Sequence, residues 1–280
     1  MKITRWGVLG VGRAGTARAA AIRVTDGCEL VGHWSRRDGT PPLRAMAEAR
    51  PEVVVVALED AAHATGILEA LEAGADVLVE YPLVTSREEA VLVAEAARRV
   101  GRGIRVSWLG WQGPQGEAIR LREQQRPPRV WDVHFRGGLA PWVAEGLRRG
   151  RHATHAAGRL RMLWDLVGPW AETDATVSRD GESWLAAFLL AGPEGRSASL
   201  REERGQGLAR STGWWADGEP VVPAQGSQNG AFARDQSRWQ ESYRKGTWGV
   251  GLPAEELAFL EACLALEERL KEKGFVSEVH

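Results

Sequence analysis

The stretch Trp6 to Gly15, W-G-V-L-G-V-G-R-A-G, leaves this chain few ways to fold. A short apolar strand (Trp6, Val8, Leu9) runs into Gly10-x-Gly12-x-x-Gly15, and an Ala-rich helix follows from about Thr16 to Ile22. In a dinucleotide site each glycine has a physical task. The first makes the strand-to-helix turn, the second lets the backbone approach a pyrophosphate, and the third lets the helix lie close on the sheet. The amides that open the helix then face the phosphates, and the helix dipole adds to the attraction. A glycine-rich turn alone is weak evidence. Directly after the first strand of a β-α-β pattern it points to a bound nicotinamide or flavin nucleotide. On that reading Gly10, Gly12, Arg13, Ala14 and Gly15 face the phosphates; the competing reading is a plain structural turn.

The pattern downstream agrees. Glu29 to Trp34 reads as the second strand, and the residue at its end usually decides which nucleotide binds. A carboxylate there would bond the adenosine ribose of NAD and repel a 2′-phosphate. Here the strand ends in His33-Trp34-Ser35-Arg36-Arg37, without an acid. A hydroxyl and two guanidiniums suit a phosphate, so NADPH is expected, with NADH as the alternative. Arg36 and Arg37 could also be solvated loop residues. A short helix (Leu43 to Ala49) leads to the run Val53 to Ala57, whose unbroken β-branched character fits a central parallel strand covered on both faces. A helix from about His63 to Ala73, the strand Val77 to Glu80, a helix from about Ser86 to Arg99 and the strand Ile104 to Trp108 complete the series. Residues 1–108 are expected to form an α/β, doubly wound parallel sheet, a Rossmann domain.

Composition narrows the class. The 280 residues are 44% hydrophobic and 26% charged, ordinary for a globular enzyme. A net charge of −1 gives no field for nucleic acid, and no apolar stretch is long enough to span a bilayer. No secretory signal is expected, because the chain enters a strand almost at once. Cys28 and Cys263 fall in separate elements, and both are expected to be reduced and buried in a cytoplasmic protein. A monomer is compatible with this composition.

Beyond Trp108 the pattern changes, which puts a domain boundary near Leu109. Gly116 to Gln124 reads as a short helix, and Val130 to Arg136 alternates as a half-buried strand should. Glu172 to Val177, Ser183 to Leu190 and Ser197 to Arg204 add strands, so residues 109–280 are expected to form an α+β domain on a mostly antiparallel sheet. Gly205 to Gly230, rich in Gly, Pro and polar residues, reads as a hairpin or mobile loop. Pro253 to Lys273 reads as a structural helix with Leu257, Leu260, Cys263, Leu264, Leu266 and Leu270 on its apolar face and Gly274 as its cap. Another helix spans about His152 to Val167. His152 and His155 could share its face, but no Cys or carboxylate is spaced to complete a metal site, and no metal is expected.

Glu80-Tyr81-Pro82 sits at the carboxyl end of a strand, where open α/β sheets place their ligands. A strand followed by E-x-P after a dinucleotide fold resembles the glucose–fructose oxidoreductase and inositol dehydrogenase family. The resemblance implies that Glu80 and the middle residue adjoin the coenzyme, the latter in most members being a lysine that relays a proton or holds the substrate. Here it is Tyr81, and no lysine lies between Lys2 and Lys245. Sugar dehydrogenases of the family carry Asp-x-x-x-His on the equivalent of the His152 to Val167 helix; the His place falls near Gly158, so that base is absent too. Within the family the chain is similar to the biliverdin reductase branch. The matching stretches are G-V-G-R-A-G (Gly10 to Gly15), S-R-R (Ser35 to Arg37), V-L-V-E-Y-P (Val77 to Pro82), Arg159-Leu160, Glu202-Glu203-Arg204-Gly205-x-Gly207-Leu208 and Asp235-Gln236. In that branch a tyrosine replaces the family lysine, as Tyr81 does here, and the likeness implies that Arg159 supplies a proton. One departure is the stretch Val106 to Gln112, which has no carboxylate where the mammalian enzyme has an acidic run.

The chemistry suits these residue types. A linear tetrapyrrole needs hydride at its central methine carbon and a proton on a pyrrole nitrogen, and no hydroxyl has to be deprotonated. Arginine is a weak acid with a reference pKa above about 12, so donation by Arg159 demands concerted transfer, or a relay through water or a propionate. Arg148, Arg149 and Arg151 could pair with propionates, and Trp108, Trp111, Trp142, Trp214 or Trp215 could stack on a flat pigment. The sequence therefore points to an NAD(P)H-dependent reductase of a small-molecule bilin, with Tyr81 and Arg159 catalytic and no nucleic-acid or membrane partner. Two other readings stay open: an NADP-linked reductase of another carbonyl, imine or sugar with Tyr81 as proton donor, and a nucleotide sensor or pigment carrier without turnover.

Overall fold

The computed structural model describes residues 3–35, 42–170, 172–223 and 230–273. They divide into two compact units, Met1–Gln112 with Ser227–Ala258, and Gly113–Gly226 with Phe259–His280. Where the sequence suggested a single boundary after residue 108, Ser227–Ala258 group with the first unit.

In the first unit the strands are β1 (Thr4–Leu9), β2 (Cys28–Trp34), β3 (Val53–Val56), β4 (Asp76–Glu80) and β5 (Ile104–Ser107). Between them run α1 (Arg13–Val24), α2 (Pro42–Ala49), α3 (His63–Glu72) and α4 (Arg87–Val100). All strand pairs are parallel, in the order β2-β1-β3-β4-β5. The expected doubly wound sheet is present. Val53 to Val56 are each fully buried, as an unbroken β-branched run in mid-sheet requires. Strand order reverses between β1 and β3, so the crevice for a ligand opens at their carboxyl ends, Leu9 and Val56.

The second unit carries α5 (Pro114–Gln125), β6 (Val130–Gly138), α6 (Pro141–Arg148), α7 (His152–Val167), β7 (Glu172–Asp180), β8 (Ser183–Ala191), β9 (Ser197–Gly205), β10 (Ser211–Ala216) and β11 (Glu219–Pro220). Its sheet has the order β11-β10-β6-β9-β8-β7. Only β6 and β9 run parallel; the other pairs are antiparallel. Alternation fixes its buried face: Trp131, Val133 and Phe135 on β6, with Ala198, Leu200 and Glu202 on β9. One element, α6, escaped the sequence reading. Of the two alternatives for Gly205 to Gly230, the antiparallel pair β10–β11 makes part of the stretch a hairpin.

The helix α8 (Ala231–Arg244) also went unread, for a physical reason. Its buried face is polar: Asp235, Gln236 and Gln240 are almost fully covered, so it lacks the apolar stripe that periodicity detects. Hydrogen bonds anchor it instead. Trp6 donates from Nε1 to Gln240 Oε1 (2.9 Å), while Gln240 donates to Thr4 Oγ1 (3.0 Å) and the Gly27 carbonyl (2.8 Å). Trp6, fully buried, meets Trp248 edge-on at 6.1 Å, and such aromatic pairs add about 0.5–1.5 kcal/mol beyond area burial. The last helix, α9 (Ala254–Glu272), buries Phe259, Leu260, Cys263, Leu266 and Leu270, while Leu257 and Leu264 of the expected face are half-buried. Its proposed cap, Gly274, lies outside the described residues. Cys263 is buried as expected, but Cys28 is only half-buried, because β2 is an edge strand. Burial pushes both thiols up. Among the described residues no helix is long and apolar enough to cross a membrane.

Candidate active site

The glycine turn after β1 builds a cleft of about 480 Å³ lined by Gly10, Val11, Gly12, Arg13, Ala14, Ser35, Ala57, Leu58, Glu59 and Ala62. Its geometry explains the glycines. Gly10 has φ +121°, and a Cβ there would lie 2.1 Å from the Ala57 carbonyl oxygen. A Cβ on Gly15 would come within 1.8 Å of the Gly10 carbonyl oxygen, so the third glycine lets α1 close on the sheet. A Cβ on Gly12 meets nothing within 4 Å. The protein itself leaves that space open, and it opens into the cleft at the N-terminus of α1. No acidic residue stands in the first helical turn, so the helix dipole there is unopposed. The residues present fit a dinucleotide pyrophosphate. Ser35, buried at the end of β2, also lines the cleft. His33 turns away from it and bonds the Gly10 carbonyl at 2.9 Å. Arg36 and Arg37 lie outside the described residues.

Glu80 and Tyr81 stand at the carboxyl end of β4, with a cis peptide between Tyr81 and Pro82. Tyr81 is half-buried, its ring 4.6 Å from that of Trp108. Behind the motif lies a network that the sequence did not disclose. Arg18, wholly buried on α1, donates to Glu80 and to Ser107 Oγ, and pairs with Asp235 of α8 at 2.7 Å. Ser107 in turn donates to Asp235 Oδ2 (2.9 Å), as does Trp239 (3.1 Å). Burial pulls the Arg18 pKa down, but Glu80 and Asp235 more than offset this and hold it above its ordinary value. A signal was available: Gly15, Arg18, Ala19 and Ile22 form the buried i, i+3, i+4, i+7 stripe of α1, and a charge on such a stripe needs a buried partner. His63 fixes the other side of the motif, its two ring nitrogens facing the carbonyl oxygens of Pro82 and Leu58.

Arg159 lies on α7 in the second unit. Its Nε and Nη2 both donate to Glu202 Oε2, at 3.1 and 2.6 Å, and Nη2 also donates to the His155 carbonyl. Glu202, 3% exposed, takes a second guanidinium on Oε1: Arg204 donates from Nε at 2.7 Å, with Nη2 at 2.6 Å. Both guanidiniums approach the ring of Phe135, at 4.0 and 4.3 Å from its centre. The period of β9 could have announced Glu202, since it follows Ala198 and Leu200 on the inward face. The first turn of α7 is secured by Glu267 of α9, which accepts from the Thr154 amide (2.9 Å) and hydroxyl (2.6 Å). The same turn carries two imidazoles, His152 buried and His155 half-buried. Desolvation lowers both His152 and His155 to about 4, so both are neutral near pH 7.

The remaining candidates scatter. Arg148 and Arg149 are exposed and pair with Glu145 of their own helix. Trp214 is 2% exposed and packs edge-on against Trp131 in the core. Trp215 stacks beside His134 on the opposite face of the sheet. The Trp142 side chain lies outside what the structure describes. Gly158, near which the sequence reading puts the family's histidine, is exposed, and a Cβ there meets nothing within 4 Å.

Residues 40–107 match the model of the GFO/IDH/MocA oxidoreductase family, NAD-binding Rossmann fold. The chain is 26% identical to biliverdin reductase A of Homo sapiens over 282 aligned positions, covering 94% of each chain. It is 25% identical to the Mus musculus protein of that name, covering 92% of each. Among solved structures, biliverdin reductase from Synechocystis sp. PCC 6803, in complex with biliverdin and NADP+, superposes with a TM-score of 0.76 at 19% identity, over 96% of this chain and 99% of that one. A scyllo-inositol dehydrogenase from Lactobacillus casei, with bound NAD(H) and scyllo-inositol, gives 0.74 at 17% identity, over 97% and 98%. The resemblance read from the sequence holds: the chain is an NAD(P)-dependent oxidoreductase with the fold of the glucose–fructose oxidoreductase and inositol dehydrogenase family.

Proposed function

We propose that the chain reduces a linear tetrapyrrole of the biliverdin type with NADPH, placing hydride on the central methine carbon and a proton on a pyrrole nitrogen. The observation that carries this reading is Arg159, a donor-only group clamped by buried Glu202 beside Gly158, where alcohol dehydrogenation would need a base. A guanidinium has no lone pair with which to take a proton from a hydroxyl. It can hold and polarise an acceptor that is gaining a hydride. Likeness to biliverdin reductase A along 94% of the chain supports the same substrate class.

When bound, the reduced nicotinamide supplies the hydride. The chain's own residues do the rest. Gly10, Gly12, Arg13, Ala14 and Gly15 take the pyrophosphate, and Ser35, Arg36 and Arg37 take the 2′-phosphate. Glu80 and Tyr81 would hold the nicotinamide end, with Tyr81 packed against Trp108. Glu202 holds the Arg159 fork at Nε and Nη2, and a guanidinium is a weak acid with a reference pKa above about 12. Arg159 therefore acts best by holding a water or a substrate carboxyl that delivers the proton to the pyrrole nitrogen.

The test is to add NADPH and biliverdin and follow loss of the far-red band with growth of blue absorbance. Turnover is expected, and Arg159→Ala should lower kcat by about 100-fold, the scale of a positioned proton-transfer group, with NADPH affinity kept. No bilin turnover, or full activity in Arg159→Ala, overturns the proposal. The stretch Val106 to Gln112, without a carboxylate, favours one second reading: reduction of another conjugated carbonyl or imine, with Tyr81 as donor. In that case Tyr81→Phe abolishes turnover and Arg159→Ala leaves it.

A further inference from the structure

We propose that Arg204 and Arg210, with Arg159, form a carboxylate-binding subsite of the second unit that takes a propionate of the substrate; this rests on the bilin reading above. Three guanidiniums gather at one aromatic ring, those of Arg159, Arg204 and Arg210 lying 4.0, 4.3 and 6.0 Å from the centre of Phe135. Among the described residues a single carboxylate, Glu202, answers them, and both of its oxygens are occupied by Arg159 and Arg204. The two histidines nearby are neutral near pH 7 and add no further positive charge. The cluster therefore holds an excess of two positive charges.

That excess is felt locally. Burial lowers the Arg204 pKa first, and the neighbouring Arg159 and Arg210 lower it further against the pull of Glu202. Arg210 is exposed and makes no ion pair among the described residues. It sits at the end of the turn after β9, six residues beyond Arg204, which brings it back to the same ring. Arg204 spends Nε and Nη2 on Glu202, which leaves the Nη1 edge of its fork for a second acceptor. A planar fork beside a further guanidinium suits a carboxylate, which can accept from both. An aliphatic carboxylate fits better than a phosphate dianion here, because Glu202 stays fixed within the cluster and would repel the larger charge. Arg148 and Arg149 do not compete for the role, since both are occupied by Glu145.

The experiment compares biliverdin with its dimethyl ester, in which both propionates lose their charge and the conjugated core is unchanged. Wild type should prefer the diacid in kcat/KM by about tenfold. Arg210→Gln and Arg204→Gln should each raise KM for the diacid about tenfold and erase that preference, and Arg136→Gln, on the opposite sheet face, should leave it intact. Equal loss on diacid and ester, or no change on either, overturns the subsite. If wild type reduces neither compound, the bilin reading has failed and the subsite is judged by saturation-transfer NMR with glutarate. Binding by wild type that disappears in Arg210→Gln sustains it, and absence of binding by wild type, or equal binding by both, overturns it.

Discussion

Alanine at Gly12 should separate coenzyme binding from folding. Gly12 has φ −72° and ψ −174°, a conformation open to any residue, and a Cβ there meets nothing within 4 Å. Alanine in place of glycine at a helix N-cap costs under about 1 kcal/mol, and the reduced freedom of the unfolded chain returns about 0.4–1 kcal/mol. Stability of the coenzyme-depleted protein should therefore change by less than about 1 kcal/mol. Coenzyme affinity should respond differently. The methyl would occupy space needed for amide-to-phosphate contacts of about 2.9 Å. Losing one or two charge-assisted hydrogen bonds, each about 1.5–3 kcal/mol, raises Kd for NADPH on the order of 10- to 1000-fold. Gly15→Ala is the counterpart, because its Cβ would lie 1.8 Å from the Gly10 carbonyl oxygen. It should cost about 3 kcal/mol or more of stability, the upper range for overpacking. Thermal unfolding without coenzyme and titration of NADPH fluorescence read both quantities. A Gly12→Ala protein with wild-type affinity, or one as unstable as Gly15→Ala, would refute the assignment of this cleft to the pyrophosphate.

Other expectations follow from the buried charges and rings. Asp235→Asn strips one of two carboxylates from wholly buried Arg18 and should destabilise the protein by about 3 kcal/mol in denaturant unfolding, the scale for breaking a buried pair. His152 and His155 lie below their ordinary 6.5, at about 4, so the unfolded chain takes up protons first. Their stability contribution is complete above about pH 6.5 and is lost as pH falls towards 4, each group being worth up to about 3 kcal/mol; urea unfolding from pH 7 to 4.5 should show the decline, and His152→Phe should flatten it. Under the bilin reading Tyr81→Phe should lower kcat less than Arg159→Ala does, and single-turnover kinetics giving the reverse order would move the proton donor to Tyr81.

The strands and helices of the parallel sheet were legible because their patterns are local. An uninterrupted valine run, a helix capped by Ser86, whose side chain accepts from the Glu89 amide (3.2 Å), and glycines at fixed spacing each declare themselves within a few residues. The second sheet could be read strand by strand from alternation, but its order could not, since nothing local states that β6 pairs with β9 in parallel. Helix α8 was lost because its buried face is built from Asp235, Gln236 and Gln240. The role of Arg148, Arg149 and Arg151 stayed open between propionate partners and a solvated run, because a run of like charges looks the same in sequence whether it serves a ligand or, as Arg148 and Arg149 do, pairs with a neighbouring Glu145.

By itself, then, the sequence determined the order of strands and helices through the parallel sheet, the class of coenzyme and the lack of any lysine between Lys2 and Lys245. These depend on backbone conformation and residue identity, which are properties of short segments. The tertiary structure decided what the charges mean. Arg18 reads as one more helix arginine until Glu80 and Asp235, 62 and 217 positions away, are found against it, and Arg159 until Glu202 is found 43 positions away. A charge in water and a charge sealed among partners differ by several kcal/mol, and only the folded chain determines which of the two a given residue is.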